Sequence, residues 1–171
     1  MSSRNGRQRC EAFLKNRDEA SLEAQAGRPG WPIYRPSEEE ERVHASSLGS
    51  EHHRAVRVVR ETDEIIAVCL EGELDLADAP DLGDQIDLAL ECGTGVIVDL
   101  SEATFIDSSI VSVLIQASKT AARRKQTVVL QLGTALVVER ILQIVGIERV
   151  MPRANDRQEA VRIIRQQAQS M

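Results

Sequence analysis

No apolar run in this sequence approaches the length needed to span a bilayer, and the polar N-terminus lacks the apolar segment of a signal peptide. The expectation is a soluble, cytoplasmic protein without a membrane partner. Cysteine is scarce. Cys10, Cys69 and Cys92 stand apart, with no paired spacing like a zinc site or a disulfide framework, and they read as reduced thiols. All three histidines precede residue 54, and the adjacent His52 and His53 point apart with no further ligand nearby, so no metal site is expected. A serine nucleophile would find no histidine base on rigid structure. The phosphate loop G-x-x-x-x-G-K-S/T, the dinucleotide turn G-x-G-x-x-G and the nucleophile elbow G-x-S-x-G are all missing. The expectation is a protein that is no enzyme and carries no cofactor.

Positive charge is missing from one long stretch. No Lys or Arg lies between Glu61 and Ser118, while Asp and Glu recur from Glu61 to Asp107; the net charge of the chain is −6. A surface of that sign repels phosphate backbones, which argues against nucleic acid and for a partner with basic residues.

What is present falls into two parts. Residues 1–54 mix Arg, Glu, Ser, Gly and Pro with little periodicity and include the acidic run Glu38 to Glu41, so a flexible, largely disordered N-terminal extension is expected. Cys10 to Ala26 has the apolar residues for a short helix, and WPIYRP, Trp31 to Pro36, holds the only Trp and Tyr of the chain. Those six residues read as a linker or an extended docking motif. Residues 55–171 have the texture of one α/β domain. Val56, Val58 and Val59, then Ile65 to Leu70, suggest a hairpin around Glu61 to Glu64. Asp78 is placed to cap a helix with Pro80 in its first turn and Leu82, Ile86, Ala89 and Leu90 on its inner face, ending near Gly93.

The stretch from Val96 to Val113, VIVDLSEATFIDSSIVSV, is the centre of the pattern. Val96, Ile97, Val98 and Leu100 are apolar on both parities, as in a strand buried on both faces. A short polar loop should follow, and then a helix opened by Asp107, Ser108 and Ser109, with Asp107 or Ser108 as its N-cap. Its apolar arc covers roughly 200°, wider than the roughly 100° stripe that a core needs, so the edge formed by Val111, Ile115 and Ala122 meets either a neighbouring helix or a partner. Thr127 to Leu132 reads as another strand. A helix opened by Gly133 or Thr134 should turn Leu136, Val137, Ile141, Leu142 and Val145 inward and stop at Gly146. Val150 and Met151 suggest an edge strand. Asn155 or Asp156 caps a last helix, with Gln158 or Glu159 placed for a capping box and Val161, Ile164 and Ala168 facing in. The whole predicts a small layer of four to five strands with helices. A phosphate-accepting receiver domain using Asp99 is disfavoured, because Arg60 and Glu61 stand where its acidic pair belongs and no Lys follows Lys125.

GELDLADAP, then VIVDLSEATFIDSS, then ALVVERILQIVGIERV, in this order and spacing, resemble the STAS domain of bacterial anti-sigma factor antagonists over about residues 56 to 152. The resemblance implies that this chain, unphosphorylated, binds an anti-sigma factor of the serine-kinase type and so frees a sigma factor. Phosphorylation by that kinase would release it, and a phosphatase would reset it. The family motif D-S-S/T-G then makes Ser108 the phosphoacceptor and Ser109 a secondary one. Glu73 and Asp75 of the GELD segment, with Asp107, Val111 and Ile115, would form the contact surface. Ile110 stands where the family has Gly, and a β-branched side chain beside the acceptor is expected to hinder the kinase or shift partner choice. An unswitched scaffold or assembly subunit of the same fold is one alternative, and a receptor for a small molecule or lipid component is another. The oligomeric state is left open.

Overall fold

A computed structural model describes residues 55–170. The expectations for residues 1–54, including His52, His53 and the WPIYRP segment, lie outside the described residues. The described chain runs β1 (Val56–Arg60), β2 (Ile65–Leu74), α1 (Ala79–Cys92), β3 (Gly95–Ile106), α2 (Ser108–Arg123), β4 (Thr127–Gln131), α3 (Leu136–Val145), a single 3-10 turn (Ile147–Arg149), β5 (Arg153–Ala154) and α4 (Arg157–Ser170). The five strands form one sheet in the order β1-β2-β3-β4-β5. The β1–β2 hairpin is antiparallel, and every later pair is parallel.

Alternation along β3 explains the layering. Val96, Val98 and Leu100 join a large apolar cluster with Leu82 and Ile86 of α1, Ile110 and Leu114 of α2, and Val138 and Leu142 of α3. Ile97 turns the other way and packs with Ile65, Ala67 and Val129 against Ala160 and Ile164 of α4. Three helices therefore cover one face and a single helix covers the other, which is why the centre of β3 is apolar on both parities.

Several details correct the reading from sequence. The polar loop expected after Leu100 is strand: β3 continues to Ile106 while β4 has already ended opposite Asp99. This extension pairs only with the end of β2, Gly72 opposite Ala103, Glu73 opposite Phe105 and Leu74 opposite Ile106. The alternation that marks it is hidden in the sequence, because Ser101, Glu102, Thr104 and Phe105 are exposed and only Ala103 and Ile106 are buried. Gly72, at φ +76°, lies between two register shifts in β2 and lets the strand bulge toward its end.

Asp78 does sit at the N-cap of α1 but makes no capping bond there. Its Oδ2 instead accepts from the Asp75 N–H at 3.0 Å. The edge strand is Arg153–Ala154, not Val150 and Met151; Met151 is buried in the core and Val150 is exposed. In α3, Val138 and Leu142 face in, Ile141 is partly packed, and Leu136, Val137 and Val145 face solvent. A short helix that is apolar most of the way round cannot announce which arc the sheet will cover. Gly146 ends it in the left-handed conformation, φ 66°, as expected.

In α4, Asp156 takes the Glu159 N–H at 2.8 Å, and the Glu159 carboxylate reaches back to the Asn155 N–H at 2.8 Å. The capping box is therefore one residue longer than the simple form. Ala160 and Ile164 are buried, Val161 is partly packed and Ala168 is exposed. Cys69 is a free thiol.

Candidate functional site

The paired ends of β2 and β3 deliver two turns to the same place. After Leu74, Asp75 begins a tight turn in which its Oδ1 accepts from the Ala77 N–H at 2.7 Å. After Ile106, the Asp107 N–H donates to the Leu74 carbonyl at 3.2 Å, which ties the start of α2 to the GELD turn. The sequence-predicted residues Glu73, Asp75, Asp107, Ser108 and Ser109 are thereby gathered at one end of the sheet.

Asp107 is the N-cap of α2, with extended backbone. Its Oδ1 accepts from the Ser109 N–H at 2.8 Å and the Ile110 N–H at 3.1 Å, and also from the Ser109 hydroxyl. The Ser109 hydroxyl bond, followed by the backbone bonds, outweighs partial burial and holds the Asp107 carboxyl below its ordinary 3.8. The group is therefore an anion at neutral pH, seated where a helix N-terminus favours one.

The two serines are not equivalent. The Ser109 side chain is half-buried and its hydroxyl is committed to Asp107. Ser108 is exposed; its carbonyl accepts from the Ser112 hydroxyl at 2.8 Å. Of the pair, Ser108 presents its hydroxyl outward.

A phosphoryl group on Ser108 would meet a particular local situation. Helix N-termini usually stabilise phosphate through free backbone N–H groups. Here the Ser109 and Ile110 N–H groups already serve the Asp107 carboxylate. The added charge of about −1.5 to −2 would stand beside a fixed anion whose donors are taken. Its effect would fall on solvent and on whatever lay across the surface.

Three further expectations change. Ile110 is fully buried, with its side chain in the core beneath α2 rather than beside the Ser108 hydroxyl. Val111 is also buried, at 4% exposure, and Ile115 is partly packed against the same core. The expected partner edge on α2 is thus mostly interior, on the flank where the Ser118 hydroxyl bonds the Val150 carbonyl; α1 packs on the opposite flank, where a Cβ at Gly83 would stand 3.9 Å from Val113 Cγ1. Of that edge only Ala122 is exposed.

Sequence reasoning missed two side chains here. Leu76, in the turn after Asp75, is 71% exposed, and Phe105, the register neighbour of Glu73, is 40% exposed. A signal for Phe105 was available: it is the sole Phe, Tyr or Trp in residues 55–171.

Asp99 sits at a different kind of site. It is 6% exposed, and it pairs with Arg157 from α4 while its Oδ1 accepts from the Ser101 N–H at 2.9 Å. Arg157 also lies 3.7 Å from Glu61 and 3.6 Å from Cys69 Sγ. Burial alone would lower the Arg157 pKa, but Cys69, Asp99 and Glu61 together hold it above the ordinary guanidinium value. The Asp99 carboxylate has its counter-ion in place and is closed to phosphate. Among the described residues no cluster of His, Cys, Asp and Glu could hold a metal ion, and no helix is long and apolar enough to cross a membrane.

The family described as Mlab, STAS domain matches residues 58–152, just over half of the 171-residue chain. Among solved structures, the fold is similar to that of the anti-sigma factor antagonist SpoIIAA in its unphosphorylated form, with a TM-score of 0.57 and 23% identity over 66% of this chain and 97% of that one. The Bacillus cell fate determinant SpoIIAA in its phosphorylated form gives a TM-score of 0.52 and 21% identity, covering 64% of this chain and 99% of that one. An anti-sigma factor antagonist from Mycobacterium paratuberculosis gives 0.54 and 21%, covering 64% and 94%. At these identities the likeness speaks for the fold. No curated protein matches the chain.

Proposed function

We propose, for a chain that belongs to the STAS domain family, that it works as an anti-sigma factor antagonist. In this reading the chain binds a serine-kinase-type anti-sigma factor when Ser108 is free and releases it when Ser108 carries a phosphoryl group. The nucleotide chemistry belongs to the partner, and the chain acts by binding, in the cytoplasm. A phosphatase resets it.

The observation that carries the reading is the exposed Ser108 at the start of α2, next to an Asp107 that has already taken the Ser109 and Ile110 N–H donors. A kinase can reach such a serine. The dianion it would leave stands beside the Asp107 carboxylate, so burying it under a docked protein costs the complex its desolvation energy. The buried position of Ile110 supports switching over a permanently unswitched scaffold, since the residue that departs from the family motif leaves the acceptor open.

The test is phosphate transfer from candidate kinase-type anti-sigma factors to the full chain, with affinity measured before and after. Transfer to wild type and none to Ser108→Ala, with at least about tenfold weaker binding after transfer (1.4 kcal/mol), supports the reading. Equal binding by wild type and Ser108→Glu points to the scaffold instead.

A further inference from the structure

Phe105 is the only Phe, Tyr or Trp in residues 55–171, and the core is built without it. It stands 40% exposed near the end of β3, two residues before Asp107, while Leu76 stands 71% exposed in the turn on the other side. Two contacts hold this arrangement: Phe105 is in register with Glu73, and the Asp107 N–H is bonded to the Leu74 carbonyl. The neighbouring charges are Glu73, Asp75 and Asp107, all negative, whereas Arg57 of β1 is in register with Cys69 and Arg157 of α4 lies beside the Cys69 thiol.

From this placement we infer that Phe105 and Leu76 are the anchors of the docking surface, and that the element received there is a protein segment pairing an arginine with an aliphatic side chain. The charge pattern selects this occupant. An acidic or neutral apolar segment would bring no counter-charge to the three carboxylates, whereas a guanidinium can stack on the Phe105 ring while its N–H groups reach Glu73. The aliphatic neighbour then covers Leu76. Exposed aromatic side chains of this kind carry a disproportionate share of interface energy. The inference rests on the reading of the Ser108 surface as a protein-docking site, and it adds that affinity and gating belong to different residues: Phe105 and Leu76 hold, and Ser108 releases.

The experiment is an NMR titration of the isotopically labelled full chain with a capped Arg-Leu-Arg-Leu peptide, against the same peptide with citrulline replacing arginine. The inference expects shift perturbations at residues 73–78 and 102–109, about three- to tenfold weaker binding of the citrulline peptide, and about tenfold or greater loss with Phe105→Ala. Phe105→Leu keeps the apolar volume and should lose only the arginine preference. Because Phe105 is surface-exposed, both variants should keep the wild-type melting temperature, which separates lost contact from lost fold. Equal binding of the two peptides, perturbations elsewhere, indifference to Phe105→Ala, or no perturbation at millimolar peptide overturns it. The same samples are assayed for phosphate transfer. A chain that binds through Phe105 but is not modified at Ser108 keeps the anchors and loses the gate; a chain modified at Ser108 whose binding ignores Phe105 keeps the gate and overturns the anchors.

Discussion

Asp99 and Asp107 lie on one continuous strand and turn, yet the molecule uses them in opposite ways. Asp99 is buried and meets Arg157, a cation from the last helix, so its charge is neutralised within the fold. Asp107 is satisfied by N–H and O–H donors alone, and the carboxylates beside it, Glu73 and Asp75, have no Lys or Arg ion-paired to them among the described residues. A charge balanced internally ties two layers together. A charge left unbalanced at the surface is available to something outside. The acidic stretch that looked uniform in sequence thus splits into a half paired inside the fold and a half left without a counter-ion at the surface.

The sharpest way to break this contrast starts under the serine end. Ile110→Gly removes a fully buried side chain and adds helix-weakening glycine, so chemical denaturation should show a loss of about 4 kcal/mol, and transfer of phosphate to Ser108 should not speed up. A faster transfer with little lost stability would mean that Ile110 screens the acceptor after all. Next is the structural carboxylate. Arg157→Leu leaves Asp99 buried without its cation and should cost about 3 kcal/mol while partner affinity stays within twofold of wild type, about 0.4 kcal/mol. Comparable losses in stability and in affinity would merge the two regions into one.

The mirror image is expected at Ser108. Ser108→Glu should weaken the partner at least about tenfold, with an unchanged denaturation midpoint, since the residue is exposed. The smallest effect is the acid limb of stability. The native Asp107 carboxyl lies below its unfolded value of 3.8, so the cap's contribution is complete above that pH and fades as pH falls through the lower native value. Asp107→Asn keeps a capping side chain but removes the titration, so its melting curve should flatten in that acid range relative to wild type. An unaltered acid limb would place the shift elsewhere.

Much of this was legible in the residues. The centre of β3 showed itself because Val96, Ile97, Val98 and Leu100 are apolar on both parities, and Asp107 showed itself as a cap because an acid stands directly before an apolar-periodic segment. The facing of α3 was not legible, since Leu136, Val137 and Val145 are as apolar as Val138 and Leu142, and only the sheet's position decides between them. Nor was the continuation of β3, whose pairing with Gly72 to Leu74 is a contact between segments some thirty residues apart along the chain. Val111 failed for a related reason: a wide apolar arc records that a helix is covered, and the arc cannot say whether the cover is its own fold or another protein. The role of Arg157 was hidden because its partners, Glu61, Cys69 and Asp99, come from the β1–β2 turn, β2 and β3, which are scattered through the sequence.

The central claim is that one exposed hydroxyl at the start of α2 governs docking. Its most direct measurement is site-resolved mass spectrometry of the full chain after incubation with a kinase-type anti-sigma factor that binds it and ATP, with the affinity of the same sample determined in parallel. A single phosphoryl group located on Ser108, accompanied by release of the partner, is the predicted result. A phosphoryl group located on Ser109 or another residue, or a chain modified at Ser108 that stays bound, would contradict it.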